Sequence, residues 1–225
     1  MNMKKLLLWD IDGTLLTLSG LGRDTSNLAF QKLYGRGKTI AGREMAGKTD
    51  LQILEMFFER NDIQYNDLLD ESLKVKEVYF NFLKEALKKS DKPVIYPAVK
   101  EVLKKYHNKP NYVNALLTGN YKISAQLKLE FFDLWSYFEF GAFGDYTTKR
   151  DELIPVALDE FKNLYEKEID SSHIFVIGDT PHDIAICKPY KINSIAVATG
   201  GFTLTNLEHY NPTFSIKNLL DFPNI

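Results

Sequence analysis

The chain has 225 residues, 44% of them hydrophobic and 26% charged, with 13 Gly and 8 Pro, proportions that exclude collagen-like, low-complexity and disordered chains. Its 28 Lys and Arg stand against 30 Asp and Glu, so it lacks the basic excess that gripping a nucleic-acid backbone requires. The first element in chain order is a short apolar run, Leu6-Leu7-Leu8-Trp9. It follows Lys4 and Lys5 as a secretion signal would, but Asp10 and Asp12 interrupt it well short of the length such a signal needs. Its continuous hydrophobicity predicts a strand buried on both faces, and residues 112–117, 174–177 and 194–198 repeat the pattern.

Helical patterns lie between these runs. Pro97 leads into Val99, Val102, Leu103 and Tyr106, and Asp151 precedes Ile154, Leu158, Phe161 and Tyr165 at helical spacing. The alternation predicts an α/β fold, a doubly wound, mostly parallel sheet. Over a hundred residues separate the ends of the first two strands, whereas a βαβ unit takes roughly 30. The excess reads as helical over 27–34, 49–60 and 67–89, the last with Leu69, Leu73, Phe80, Leu83 and Leu87 on one face and Tyr79, Phe82 and Ala86 widening it. We therefore expect residues 1–16 and 94–225 to form an α/β core and 17–93 a helical cap above the strand ends. No segment approaches the ~20 apolar residues of a membrane span, and the single Cys187 allows no internal disulfide. A cytoplasmic monomer is the expectation.

The chemistry-bearing residues follow the predicted strands. Asp10-Ile11-Asp12-Gly13-Thr14 opens directly after the first strand, where an open α/β sheet binds its ligands, and Gly13 lets the chain turn. A calcium loop is excluded, because counting from Asp10 the positions that need Gly and Glu hold Leu15 and Leu21. Gly178-Asp179-Thr180-Pro181-His182-Asp183 repeats the arrangement after another strand. Carboxylates gathered at a dry sheet end repel unless a cation neutralises them, and Mg2+ suits an all-oxygen site. Thr118-Gly119-Asn120 ends a third strand with a hydroxyl and turn amides fit for phosphate oxygens. Lys149 and Arg150, before the helix near Asp151, offer a cation for the same group.

These four segments, in this order, resemble the four motifs of the haloacid dehalogenase-like hydrolase superfamily. The helical insertion after the first motif, with Thr199-Gly200-Gly201-Phe202 and the tail, resembles its phosphoglycolate phosphatase and β-phosphoglucomutase branch, so the similarity spans nearly the whole chain. The resemblance implies a Mg2+-dependent phosphatase acting on a small phosphorylated metabolite through an aspartyl-phosphate, or a phosphomutase sharing the same core. It implies Asp10 as nucleophile, Asp12 as the acid and base serving the leaving alcohol and then water, and Asp10, Asp179 and the backbone carbonyl of Asp12 as metal ligands, with Asp183 behind them. Thr118, the amides near Gly119 and Asn120, and Lys149 or Arg150 would stabilise the phosphoryl oxygens. The branch often has Lys followed by Pro at the third motif, and Lys149-Arg150-Asp151 lacks that Pro. Arg150 is favoured over Lys149 because a guanidinium grips phosphate bidentately. Asp12 disfavours dehalogenation, since the dehalogenases of the superfamily lack that second Asp.

A rival stands in the insertion. Gly42-Arg43-Glu44-Met45-Ala46-Gly47-Lys48-Thr49 fits the phosphate-loop pattern of nucleoside-triphosphate hydrolases. That loop needs a buried strand before it, whereas Lys38-Thr39-Ile40-Ala41 is short and half polar. Under the preferred reading Gly47, Lys48 and Thr49 are cap residues that select the substrate, and Arg36, Lys38, Arg43 and Lys48 meet its negative charge. Of the four histidines, His107, His173 and His209 read as surface residues and His182 as a variable position of the fourth motif.

Overall fold

The computed structural model describes residues 4–35 and 37–225. In chain order it places β1 (Lys5–Trp9), β2 (Leu16–Thr17), α1 (Leu21–Tyr34), α2 (Gly42–Met45), α3 (Asp50–Arg60), α4 (Leu68–Lys89), β3 (Val94–Ile95), α5 (Val99–His107), β4 (Tyr112–Thr118) and α6 (Lys122–Glu130). Then come β5 (Gly141–Phe143), α7 (Leu153–Tyr165), β6 (Ile174–Gly178), α8 (Pro181–Ala185), β7 (Asn193–Val197), α9 (Leu204–Glu208) and β8 (Phe214–Ile216). Six strands form one sheet in the order β5-β4-β1-β6-β7-β8, every neighbouring pair parallel. Among the described residues no helix is long and apolar enough to cross a membrane.

The continuous apolar runs are continuous because both faces of the sheet are covered. Leu7 and Trp9 of β1 join Val99, Leu103 and Tyr106 on one face, while Leu6 and Leu8 join Ile154, Ala157 and Phe161 on the other. All seven residues of β4 are buried, and each large apolar side chain so enclosed contributes about 1.5–3 kcal/mol relative to exposure. The indole N–H of Trp9 donates to Asn114 Oδ1 at 3.0 Å, so the polar atom brought into this core is paired. Register sets the site: Trp9 lies beside Leu116 on one side and Ile177 on the other. The residues that follow β1, β4 and β6 therefore emerge together at one sheet edge.

The chain leaves this unit through β2 and returns through β3, and the two pair antiparallel as a short stem. Between them α1, α3 and α4 pack around Phe30, Phe57, Phe58, Val75, Tyr79, Leu83 and Leu87. Thr49 caps α3 by accepting from the Gln52 amide at 3.1 Å, and Asp67 caps α4 by accepting from the Leu69 and Asp70 amides. The first helix begins at Leu21, six residues before the predicted 27–34 segment. In α4 the buried stripe runs through Ser72, Val75, Tyr79, Leu83 and Leu87. Leu69 and Leu73 do not join it and are 42% and 64% exposed, because they lie at or beyond the edge of the buried face, Leu73 about 100° round the helix from Ser72. Strands β5 and β8, three residues each at the sheet edges, and the stem strands β2 and β3 carry no periodic signal and were not among the predicted elements.

Candidate active site

Asp10, Asp179 and Asp183 gather at the common strand edge, each offering a carboxylate oxygen within 4.8 Å of the others. The β6 loop is built by local rules: Pro181 opens α8, and Thr180 and Asp183 cap each other, the Thr180 amide donating to Asp183 Oδ2 at 3.0 Å. The other oxygen of Asp183 accepts from Arg150 at 2.6 Å. The same guanidinium nitrogen lies 3.0 Å from Asp10 Oδ1. Arg150 is buried, and its ion pairs with Asp10 and Asp183 hold it beside the carboxylates as a positive wall. Lys149 does not reach this cluster; its side chain is 70% exposed and its ammonium sits 3.4 Å from Glu152. The geometry thus corrects the pairing of the two as candidates, because adjacent residues at a helix start point in different directions.

Burial pushes the Asp10 carboxyl up to about 6 against the pull of Arg150, with Asp183 and Asp12 adding repulsion. Burial and the neighbouring Asp10 and Asp183 push Asp179 to about 8. Arg150 is driven up, the attraction of Asp183 and Asp10 outweighing the burial that opposes it. Asp179 Oδ1 is buried and finds no hydrogen-bond donor among the described residues. Gly13, at φ +88°, and Gly200 both press against the Asp179 carboxylate, and a side chain at either would collide with it. A hard oxygen set, an orphaned buried carboxylate oxygen and a glycine cradle fit a divalent cation held chiefly by Asp10 and Asp179. The oxygens of Asp183 are already engaged by Arg150 and Thr180.

The carboxylate of Asp12 takes no part in that cluster and faces another way. Its Oδ2 accepts from the Lys128 ammonium at 2.6 Å and from Asn120 Nδ2 at 2.9 Å. Lys128 also donates to Asn120 Oδ1 at 2.5 Å, and Asn120 Nδ2 reaches Thr118 Oγ1 at 2.7 Å. Thr118, Asn120, Asp12 and Lys128 therefore form one connected network. Burial lowers the Lys128 ammonium, but Asp12, Tyr79 and Asp50 together drive it up. Lys128 was not among the sequence candidates. The available signal was its phase in α6, where Ser124, Ala125, Lys128 and Leu129 make one buried stripe.

A cavity of about 580 Å³ opens above these groups. Asp10, Asp12, Thr118, Gly119, Asn120, Arg150 and Asp179 line its floor, and Arg23, Arg43, Lys48, Met45, Ile53 and Tyr79 from the helical insertion line its far side. The insertion docks directly on the loop after β4: the Asp50 amide donates to the Gly119 carbonyl at 2.7 Å, and Asp50 Oδ2 accepts from the Tyr121 amide at 2.8 Å. Gly119 has no room for a side chain because the Lys48 carbonyl lies against it. Burial raises Asp50 to about 6.

Of the predicted cap residues, Gly47 and Lys48 line the cavity, whereas Thr49 is fully buried and donates its hydroxyl to the Thr147 carbonyl at 2.8 Å. Thr49 therefore serves the dock and not the cavity wall. Arg43 lines the cavity, Lys38 does not, and Arg36 lies outside the described residues. Arg23, missed in the sequence, joins the cationic side. The phosphate-loop rival loses its required context: residues 38–41 form no strand, and Gly42–Met45 is a one-turn helix. His182 packs against Gly47, and burial lowers its imidazole. Cys187 is buried, and burial pushes its thiol up to about 12, as for an inert core group.

Comparison with solved structures finds the same fold at low identity. CbbY from Rhodobacter sphaeroides in complex with phosphate superposes with a TM-score of 0.75 at 15% identity, over 97% of this chain and 96% of that one. A variant of the same protein, in complex with xylulose-(1,5)-bisphosphate, gives 0.76 at 15% over the same shares. A predicted phosphoglycolate phosphatase from Haemophilus somnus gives 0.67 at 16%, over 98% and 97%. No curated protein matches the sequence. The family model of the haloacid dehalogenase-like hydrolases matches residues 7–188, a span that runs from β1 through the α8 loop and holds every group of the cluster, so the chain is an enzyme of the haloacid dehalogenase-like hydrolase family.

Proposed function

We propose that this enzyme is a Mg2+-dependent phosphatase that hydrolyses a small phosphorylated metabolite through an aspartyl-phosphate on Asp10. The observation that carries the reading is the arrangement at the strand edge: a buried Asp10 facing Arg150, Asp179 with an orphaned oxygen, and Asp12 held apart on its own network. Asp10, Asp179 and the backbone carbonyl of Asp12 would hold the ion, which supplies positive charge to the phosphoryl oxygens and keeps Asp10 ionised. An ionised Asp10 attacks phosphorus, and the P–O bond to the departing alcohol breaks. Asp12 gives that oxygen its proton and later takes one from the water that hydrolyses the acyl phosphate. Arg150, the Thr118 hydroxyl and the turn amides after it offset charge on the equatorial oxygens. Asp183 acts through Arg150, which it holds at 2.6 Å.

The cavity suits a metabolite with negative charge at both ends, since Arg23, Arg43 and Lys48 stand across from the acidic floor. The bisphosphate bound by the CbbY variant has that distribution. A panel of phosphorylated metabolites, mono- and bis-anionic, assayed for free phosphate with and without EDTA tests the reading. We expect chelator-sensitive phosphate release, fastest for a small ester with a second anionic group. Rearranged sugar phosphate without free phosphate would replace the phosphatase by a phosphomutase, and phosphate release indifferent to EDTA would remove the metal.

A further inference from the structure

We propose that Lys128 is a positioning residue that fixes which oxygen of Asp12 serves the departing alcohol, an inference that rests on the phosphatase reading above. Two N–H donors converge on one atom, Asp12 Oδ2: the Lys128 ammonium at 2.6 Å and the Asn120 amide at 2.9 Å. An oxygen receiving two donors has no room for a proton of its own. Any proton on this carboxyl must therefore sit on Oδ1, which has no hydrogen-bond partner among the described residues. The Asp12 side chain is 44% exposed, and the residue lines the cavity. Lys128 thus turns a symmetric carboxyl into one with a bound oxygen and a free one.

The surroundings hold Lys128 to this task. Its side chain is only 4% exposed. Its second donor contact, to Asn120 Oδ1 at 2.5 Å, fixes which way the Asn120 amide points, so Nδ2 is left to face Asp12 and Thr118. The helical insertion encloses it from above: a Cβ at Gly22 of α1 would stand 3.8 Å from Nζ, and Asp50 of α3 and Tyr79 of α4 act on its charge. A dry, doubly bonded ammonium is a far stiffer support than a solvated lysine, because no water competes for its donors.

In the first half-reaction the P–O bond breaks, its electron pair stays on the ester oxygen, and the proton from Asp12 Oδ1 neutralises it. Removing Lys128 should slow that step only where the leaving oxygen needs a proton. The test compares Lys128→Met with wild type on the best alkyl phosphate from the panel and on p-nitrophenyl phosphate, whose phenolate leaves without one. We expect the first-turnover rate of alcohol release from the alkyl ester to fall roughly 100-fold, the scale of a general acid's contribution, and the first-turnover release of p-nitrophenolate, which precedes the water step that Asp12 also serves, to change by less than about 5-fold. In an Asp12→Asn background the Lys128 change should add nothing further.

Equal first-turnover losses on the two esters, or a loss confined to KM, would overturn the proposal. If Lys128→Met does not fold, Lys128→Gln, which keeps a donor but no charge, carries the same comparison, with the selective loss reduced. A wild-type enzyme that hydrolyses neither ester would remove the phosphatase reading itself, and the Lys128 role with it. Alkyl hydrolysis by wild type that survives in Lys128→Met would remove the Lys128 role alone.

Discussion

The floor and the roof of the cavity are built by different means. On the floor, Asp10, Asp179 and Arg150 are buried, the two carboxylates placed after β1 and β6 by strand register and Arg150 by its ion pairs to Asp10 and to Asp183, which caps α8. Across from them, Arg23 and Arg43 come from an exposed helix turn and a one-turn helix, and among the described residues the Arg23 guanidinium bonds only its neighbour Asp24 at 2.7 Å. Parallel register over-determines the floor, whereas the roof depends on how the helical insertion docks. Rigid elements hold reacting groups to fractions of an ångström, and looser ones tolerate changes of ligand. On the proposed reading, bond making falls to the sheet edge and substrate choice to the insertion.

The largest effect should come from the floor. Asp10→Asn keeps the side chain's size and removes the nucleophile, so phosphate release should fall by roughly 10⁴-fold or more. Thermal unfolding should be unchanged or raised, because a buried charge is removed from between Asp179 and Asp183. Phosphate release near wild-type levels in that variant would place the nucleophile elsewhere.

A smaller effect, roughly 10- to 100-fold on kcat, should come from the seam between floor and roof. Gly119→Ala sets a methyl against the Lys48 carbonyl, backbone against backbone, and only lifting the insertion relieves it. The lift would break the Asp50–Gly119 hydrogen bond and open the roof above Lys128. Unfolding midpoints should fall as well, since the insertion and one face of the sheet share a continuous apolar cluster. If kcat stays at wild type while the variant unfolds early, the dock is a stability device and the division between floor and roof fails.

How much of this was legible in the sequence follows the same line. Strand β1, both acidic loops, the Thr118 turn and the arginine before α7 were readable, because a buried parallel strand announces itself as an unbroken apolar run and its functional loop begins where the run stops. What depended on distant packing was not. Lys128 looks like an ordinary helix lysine until α1, α3 and α4 close over it. Leu69 and Leu73 look like core until the packing of α4 sets its buried face on Ser72, Val75 and Tyr79 and leaves them to the side. The edge strands β5 and β8 are too short for any period to show. Thr49 matched a phosphate-loop letter pattern, yet its hydroxyl is spent on the Thr147 carbonyl, a partner 98 residues away that no local motif reveals.

The smallest effect is a shift in melting temperature, and its sign tests the acidic floor without any substrate. Asp10 and Asp179 have folded-state values of about 6 and about 8, both above the ordinary 3.8 of an unfolded chain. Between those limits the folded protein binds more protons than the unfolded one, so metal-free stability falls as pH rises from about 4 to about 8. A divalent cation supplies from outside the positive charge that those protons supply at low pH. It competes with them for the same oxygens and binds the folded form more tightly as they leave. The rise in melting temperature on adding Mg2+ should therefore be larger at pH 8 than at pH 5, and Asp179→Asn should abolish the difference while leaving the fold intact. An equal rise at both pH values would mean that the ion binds away from Asp10 and Asp179, and the strand edge would then be a cluster of buried acids held by Arg150 alone.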